Sequence, residues 1–346
     1  MKKLLFILGI LILTGMGLVF YARHQWRVVG TPAEGGMVEI PHGLGAREVI
    51  GLLQQKKVIT DRYSALAYIF YSGTRHKLQA GEYLFDHPMT IPEVVAKIAS
   101  GAVLLHKFTV PEGLTVAAIG QKWQEQGFGS AEEFSKAAAD SIDLIRGFDE
   151  KAASVEGYLF PETYSFRRHT TARQAVEAMV GQFSQAAERL QRTVPPENWP
   201  LNLHDTVILA SLIESEAAQA EERSLIASVF LNRLKRRVLL QCDPTVIYAL
   251  EQADKYRGSL TLADLQFHSP YNTYLNAGLP PGPITNPGFP SLLAAIQPSV
   301  TEYLYFVRTT DSRHIFSETL SAHNRAVAAY RKMRKAQAGE ATVAAR

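Results

Sequence analysis

Residues 207–218 read VILASLIESEAA, and this stretch decides how the larger part of the chain is built. Seven mostly apolar residues without a glycine or proline predict an apolar helix over roughly 205–218. Two carboxylates, Glu214 and Glu216, stand near its end. Charged side chains at the end of an otherwise apolar helix need an explanation, because such groups are rarely buried without a partner.

The two glutamates point in different directions on a regular helix. Residues two apart diverge by about 200°, so Glu214 shares its face with alanines, whereas Glu216 shares one with Leu212 and Ile213. Apolar neighbours and the negative end of the helix dipole both disfavour the ionised form of Glu216, which raises its pKa toward that of a general acid. The alternative is that one glutamate is solvated and the other pairs with a basic residue such as Arg233.

The surrounding sequence predicts a larger, mainly helical domain over 105–333 and a disordered tail over 334–346. Within this domain the chain is predicted to become irregular after Asp243-Pro244, where turn-forming residues accumulate. The predicted elements are a strand at 107–110, helices around 119–123, 134–145, 176–190, 205–218 and 222–236, and a strand at 303–307.

A smaller domain is predicted over 37–104. A strand at 38–40, a helix through 49–53, a second helix capped by Asp61 and a strand at 81–85 give the order β-α-α-β. The spacing of Thr90 and Glu93 is that of a capping box, which opens a last helix ending at Gly101.

The N-terminus carries a segment suited to a membrane. The uncharged run 4–22, LLFILGILILTGMGLVFYA, is long enough to span a bilayer and follows residues 1–3, expected in the cytoplasm. A cleaved signal peptide is the alternative, but no small-x-small cleavage site follows the run. Basic residues flank both ends, so mainly the terminal amine favours a cytoplasmic N-terminus and charge leaves the orientation nearly open. Residues 23–36 are predicted to form a linker.

Composition excludes several classes of function. With 36 basic and 33 acidic residues the net charge is +3, too small to indicate a nucleic-acid partner. The single cysteine, Cys242, excludes an intramolecular disulfide and a Cys-based metal site. Walker A, HExxH and GxSxG motifs are absent, and His314 and His323 lack ligand spacing, so both are interpreted as satisfied structural histidines. No metal and no cofactor are predicted.

A single carboxylic acid of raised pKa suits the cleavage of a glycosidic bond when the attacking hydroxyl belongs to the substrate. In that case no second carboxylate is needed to activate water. Flat faces for sugar rings are available from Tyr248, Tyr271, Tyr274 and Trp123, and hydrogen-bond partners from Gln241, Asp243 and Asn272. Each aromatic residue has core packing as its alternative role.

Seven motifs in the chain carry a family resemblance. They are EGYLFPETY (156–164), ASLIESEA (210–217), ASVFLNRL (227–234), LQCDPTVIYAL (240–250), YNTYLNAGLPPGPITNPG (271–288), YLYFV (303–307) and HNRAV (323–327). The sequence resembles the MltG (YceG-like) endolytic murein transglycosylases, and the motifs follow the order found in that family. The smaller domain is similar to the LysM-like subdomain of the family.

The resemblance implies an α+β protein: one transmembrane helix, the LysM-like β-α-α-β subdomain, and a catalytic domain facing the cell wall from the bacterial cytoplasmic (inner) membrane. It implies a lyase that cuts peptidoglycan glycan strands after N-acetylmuramic acid and leaves 1,6-anhydro ends, with Glu216 as the single general acid and base. Membrane lipid and peptidoglycan synthases are the implied partners. The candidate substrate-binding residues are Glu214, Asn232, Gln241, Asp243, Thr245, Tyr271, Asn272 and Tyr274.

One residue departs from the family pattern. Cys242 stands between Gln241 and Asp243, and its thiol is interpreted as a packing group. Two other functions are compatible with the sequence. The first is a muramidase that cleaves with water, and the second is a wall-binding scaffold in which Glu216 is inert.

Overall fold

The computed structural model describes residues 2–32, 36–309 and 313–344. About half of them are helical, and the strands form small two-stranded sheets, which confirms the expected mixture of helices and strands. The chain forms two compact units, Met1–Lys107 with Ser165–Thr170, and Phe108–Tyr164 with Thr171–Arg346.

The first unit contains the predicted β-α-α-β order. Its elements are α1 (Lys2–Gln25), β1 (Val29–Gly30), β2 (Met37–Ile40), α2 (Ala46–Gln55), α3 (Arg62–Ser72), β3 (Gly81–Leu84), β4 (Met89–Thr90) and α4 (Ile91–Ser100). Strand β2 pairs antiparallel with β3, and its side chains alternate between exposed and buried. The Asp61 carboxylate accepts the Ser64 N–H at 2.8 Å and caps α3, and the capping box of Thr90 and Glu93 opens α4, both as predicted.

Helix α1 is exposed along its length and is long and apolar enough to cross a membrane. The segment predicted as a linker after it is partly structured. Strand β1 pairs with β4, and a Cβ on Gly30 would lie 1.9 Å from the Val58 carbonyl oxygen, so only glycine fits there. Met1 and residues 33–35 of the predicted linker lie outside the described residues.

The second unit is mainly helical. Its elements are α5 (Val116–Glu125), α6 (Ala131–Ala139), α7 (Ala172–Thr193), α8 (Leu203–Glu216), α9 (Arg223–Lys235), α10 (Asp243–Gln252), α11 (Phe289–Ile296), the hairpin of β7 (Tyr305–Arg308) and β8 (His314–Ser317), and α12 (Leu320–Ala344). Strands β5 (His106–Thr109) and β6 (Thr163–Phe166) pair with each other.

Helix α8 is the central helix of the second unit. Every residue from Thr206 to Ile213 is buried, as expected for a helix that is apolar on all sides. It contacts α9, α10 and α11, which together enclose its apolar surface. The helix ends at Glu216, two residues earlier than predicted, because Ala217 is extended. The core therefore holds the backbone that carries both glutamates.

The stretch predicted to be irregular after Asp243-Pro244 contains two helices. Helix α10 begins at Asp243 itself, and α11 follows Gly288. Both have proline in the first turn, where the missing N–H costs nothing, so proline marks a helix start here rather than a turn. Helix α12 runs to Ala344, past residue 334 where we expected the chain to fray. Residues 345–346, and side chains from 334 onward, lie outside the description.

Candidate functional site

A cavity of about 450 Å³ lies in the second unit at the end of α8. This volume falls within the roughly 300–1,000 Å³ typical of ligand pockets. The end of α8, helix α9, the turn before α10, strand β7 and the first turn of α12 all contribute to its lining. Glu216 is part of that lining, whereas Glu214 is not.

Glu216 is the last residue of α8 and is half-buried. Burial raises the pKa of Glu216 from 4.5 to about 7, and the negative charge of Asp243 adds to this effect. A carboxyl group with that pKa is protonated in an appreciable fraction of molecules at neutral pH. It can therefore donate a proton to a substrate and take one back.

Cys242 makes a specific contact with Glu216, so its interpretation as a packing group was incomplete. The buried thiol donates to Glu216 Oε1, with 3.3 Å between sulfur and oxygen. The backbone of Cys242 is fixed on both sides, because its N–H donates to Thr273 Oγ1 at 3.0 Å and its carbonyl accepts from Thr245 Oγ1 at 2.7 Å. The thiol lowers the pKa of Glu216, opposing the effect of burial.

Replacing Cys242 with alanine is expected to raise the pKa of Glu216, because the carboxylate loses a donor that stabilises its charged form. A hydrogen bond of about 1 kcal/mol corresponds to a shift of roughly half a unit to one unit. The pKa is measured by NMR titration of ¹³C-labelled glutamate carboxyls, with Glu216→Gln identifying the signal. Cys242→Ser is the control that keeps a donor and should stay nearer the wild-type value. An unchanged pKa in Cys242→Ala would contradict the contact.

Three other predicted residues line the cavity beside Glu216: Gln241, Asp243 and Tyr274. The hydroxyl of Tyr274 donates to the Asp243 carboxylate. Gln241 has a φ of 49°, in the left-handed region that residues with a side chain rarely adopt. Residues with strained backbone of this kind are concentrated at functional sites, where the backbone conformation orients the side chain.

Three predicted polar residues do not line the cavity and hold loops instead. Asn232 Nδ2 donates to two carbonyls of the segment before β7, at 2.8 and 3.0 Å. Asn272 is fully buried, and its Nδ2 donates to two carbonyls of the loop after α10, at 3.0 and 2.8 Å. Thr245 is buried and supports the turn at the start of α10. Each fixes backbone around the cavity rather than entering it.

The predicted aromatic faces, apart from Tyr274, are also outside the cavity lining. Tyr271 and Tyr248 pack against each other with 5.0 Å between ring centroids. Trp123 is 1% exposed and packs in the aromatic core with Phe108. A ring that is fully buried cannot offer a face to a sugar, so Trp123 is a core residue.

Glu214 takes part in a separate ion-pair cluster. Its Oε1 accepts from Arg223 Nη2 at 3.1 Å, and its Oε2 accepts the Gly288 N–H at 2.9 Å. Glu112 lies 3.6 Å from the same guanidinium, and a Cβ on Gly288 would come within 1.9 Å of Glu112 Oε1. The basic partner is therefore Arg223, and the alternative pairing with Arg233 was wrong.

The two histidines near the C-terminus differ from each other. His314 is satisfied as predicted, because its backbone N–H and Nδ1 contact the Glu222 carboxylate at 2.8 and 2.7 Å. For His323 the prediction was wrong, since its buried Nδ1 has no hydrogen-bond partner among the described residues. Both rings line the cavity that holds Glu216.

The motifs did not lead us to predict two basic residues of the cavity. Arg233 and Arg308 join the two histidines in its lining. The motifs themselves contained the signal, because Arg233 lies in ASVFLNRL, His323 begins HNRAV, and Arg308 directly follows YLYFV. Within the described ranges, no cluster of three or more metal-ligating side chains occurs.

A buried acid outside the cavity was also missed. Burial raises the pKa of Glu156 to about 8. Its carboxylate accepts the Val116 N–H at the start of α5 at 3.0 Å and the Asn286 Nδ2 at 3.0 Å. Asn286 Oδ1 in turn accepts the Leu159 N–H at 2.8 Å. Glu156 and Asn286 therefore tie three distant segments of the second unit together.

Comparisons with known proteins agree on one family. The sequence profile of the YceG-like family matches residues 38–329. A Bacillus subtilis protein named endolytic murein transglycosylase is 33% identical over 308 residues, which cover 85% of this chain and 84% of that protein. A Streptococcus pneumoniae protein of the same name is 30% identical over 324 residues, covering 84% of this chain and 57% of that protein.

A solved structure is similar as well. The 2.6 Å crystal structure of a YceG-like protein from Listeria monocytogenes superposes with a TM-score of 0.58 at 32% identity. The match covers 84% of this chain and 98% of that one. The similarity therefore extends over both compact units.

Proposed function

Because the chain belongs to the YceG-like family, we propose that it is an endolytic lytic transglycosylase, a lyase that cleaves the glycan strands of peptidoglycan. Relatives carrying the name endolytic murein transglycosylase support this activity, and the chain spans 84% of the Bacillus subtilis relative. The observation that carries the proposal is Glu216, a single carboxyl group of raised pKa in a ligand-sized cavity.

In the proposed reaction Glu216 acts first as acid and then as base. Its proton passes to the glycosidic oxygen between N-acetylmuramic acid and N-acetylglucosamine, and the bond from that oxygen to the anomeric carbon breaks. The Glu216 carboxylate then takes the proton of the muramic acid 6-hydroxyl as this oxygen attacks the anomeric carbon. The product is a 1,6-anhydro end, and no water is consumed.

The surroundings of Glu216 favour internal attack over hydrolysis. Hydrolases that use two carboxyl groups place them on opposite sides of one bond. Glu214 is outside the cavity lining and holds Arg223 and Gly288, while Asp243 accepts the hydroxyl of Tyr274. In the proposed reaction one carboxyl group serves both proton transfers, and the tethered hydroxyl supplies the high effective concentration that water lacks.

The proposal places the enzyme at the bacterial cytoplasmic membrane. Helix α1 anchors it in lipid, and residues 37–104 form a LysM-like subdomain that binds glycan. The catalytic domain, 105–333, lies on the cell-wall side, where peptidoglycan synthases are its neighbours. The length and apolar character of α1 support the anchor. A fusion reporter after Arg346 that is active only in the cytoplasm would contradict this orientation.

The mass of the released fragments tests the reaction. Full-length protein in detergent micelles, incubated with uncrosslinked peptidoglycan, is expected to release internal fragments with anhydro ends, because the 6-hydroxyl replaces water. Mass spectrometry separates these from hydrated ends, which are heavier by one water.

Hydrated ends would instead identify a water-using muramidase. Binding to wall sacculi without release of fragments, by wild type and Glu216→Gln alike, would identify a scaffold.

A further inference from the structure

One wall of the cavity carries a buried positive charge that has no acidic partner in the described part of the chain. Arg233 is 8% exposed and lines the cavity. Its Nε donates to the Leu304 carbonyl at 2.6 Å, and its Nη1 donates to the carbonyls of Leu239 and Leu240 at 3.0 and 2.9 Å. Among the described residues no ion pair involves Arg233, and its Nη2 makes no hydrogen bond. Buried charges are normally paired, so this guanidinium lacks an anion.

A second unsatisfied group lies close to Arg233. The buried Nδ1 of His323 has no hydrogen-bond partner in the part of the chain that the structure describes. Both side chains contact Tyr305: Arg233 Cζ lies 5.1 Å from the ring centroid, and the His323 ring stacks on it at 5.2 Å with an interplanar angle of 26°. Burial and the charge of Arg233 lower the pKa of His323, which leaves the imidazole neutral with one N–H to donate.

We propose that Arg233 and His323 form a subsite that binds a carboxylate of the glycan substrate. The inference rests on the proposed function, because it identifies a chemical group that the same cavity recognises. A carboxylate offers acceptors to both the free Nη2 and the imidazole N–H, and it neutralises the buried guanidinium. The other acidic and basic side chains of the lining are Glu216, Asp243, Arg308 and His314, and the His314 ring contacts the Glu222 carboxylate at 2.7 Å.

Peptidoglycan offers this group from two sources. Stem-free strands carry the lactyl carboxylate of each muramic acid, and strands with peptides carry the carboxylates of the stem. An N-acetylglucosamine unit has neither. A subsite for a carboxylate would therefore distinguish the two sugars and set the position of the strand relative to Glu216.

Binding of matched strands to full-length Glu216→Gln in detergent micelles tests the subsite. The first pair is a stem-free octasaccharide with free lactyl carboxylates and the same strand with lactyl methylamides. The second pair carries stem peptides with free or amidated carboxylates. Calorimetric titration is expected to show roughly tenfold or greater weakening when the carboxylates of one pair are neutralised. The pair that shows it identifies the source, and equal affinities within both pairs would overturn the proposal.

Substitution of His323 separates recognition from packing. His323→Phe keeps a ring against Tyr305 but removes both nitrogens, so the preference for the carboxylate should fall severalfold. His323→Asn restores a polar atom near the position of Nδ1 and should recover part of it. An undiminished preference in His323→Phe would overturn the assignment. If the wild-type protein did not cleave peptidoglycan, the proposed function would be refuted. The carboxylate subsite would still be tested, because the binding comparison does not depend on turnover.

Discussion

Cleavage of peptidoglycan by Glu216→Gln is expected to fall by about 10²–10⁴-fold, toward the upper end of that range, because one residue serves as both acid and base. Glutamine has nearly the shape of the carboxyl group but cannot exchange a proton with the substrate. The measurement is the rate of fragment release from uncrosslinked strands, followed by chromatography and mass spectrometry. Affinity for uncleaved strands should change little, since the loss concerns the transition state.

The fold should tolerate this substitution. The pKa of Glu216 is about 7 in the folded protein and near 4.5 when the chain is unfolded. A raised pKa means that the folded state holds the proton more tightly, so the wild type loses stability as pH rises from about 4.5 through 7. The amide side chain of the Glu216→Gln variant cannot ionise, and this variant should therefore be at least as stable as wild type above pH 7.

A matched control comes from the surface of the same unit. Glu188 is exposed on α7, and Glu188→Gln should leave both cleavage and the pH dependence of thermal unfolding unchanged. Cleavage at the wild-type rate by Glu216→Gln would remove Glu216 from the reaction. Unfolding of Glu216→Gln at neutral pH would assign the residue to the core instead.

Local sequence was sufficient to predict the helix that carries the glutamates. It also predicted that Glu214 and Glu216 lie on different faces of that helix. Apolar residues over 207–213 determine a buried helix, and the angle between successive residues separates Glu214 from Glu216. Hydrophobic patterns also predicted the β-α-α-β order of the first unit, and residue type and spacing predicted the capping residues of α3 and α4. These features depend on residues that are close together in the chain.

Features that depend on distant residues were missed. The contact of Cys242 with Glu216 spans 26 positions and requires α10 to begin where turn residues suggested a loop. His323 lies where α12 packs against β7, and its Nδ1 has no partner within the described ranges, which spacing within one motif cannot show. Arg223 was a possible partner of Glu214 from its position nine residues later, but the irregular segment between them hid their proximity.

Loss of the Glu214 carboxylate is expected to destabilise the fold rather than stop the chemistry. The side chains of Glu214 and Arg223 are 6% and 13% exposed, and breaking a buried pair from one side leaves the other charge uncompensated. Glu214→Ala should lower the free energy of unfolding by about 3 kcal/mol, at the low end of the usual range for buried pairs, because Glu112 remains as a second acid near the guanidinium. Urea denaturation followed by tryptophan fluorescence measures the loss.

Two further variants isolate the ion pair within this cluster. Glu214→Gln keeps an oxygen for the Gly288 N–H and loses only the charge, so its loss of stability should be smaller than that of Glu214→Ala. The Glu214→Ala, Arg223→Met double variant should lose less stability than the two single variants lose in sum, because the unpaired charge is then gone.

Under conditions where it is folded, Glu214→Ala should still release anhydro fragments, since Glu214 is outside the cavity lining. A Glu214→Ala protein with unchanged stability and no cleavage would contradict both expectations, because Glu214 would then be needed for the reaction rather than for the fold.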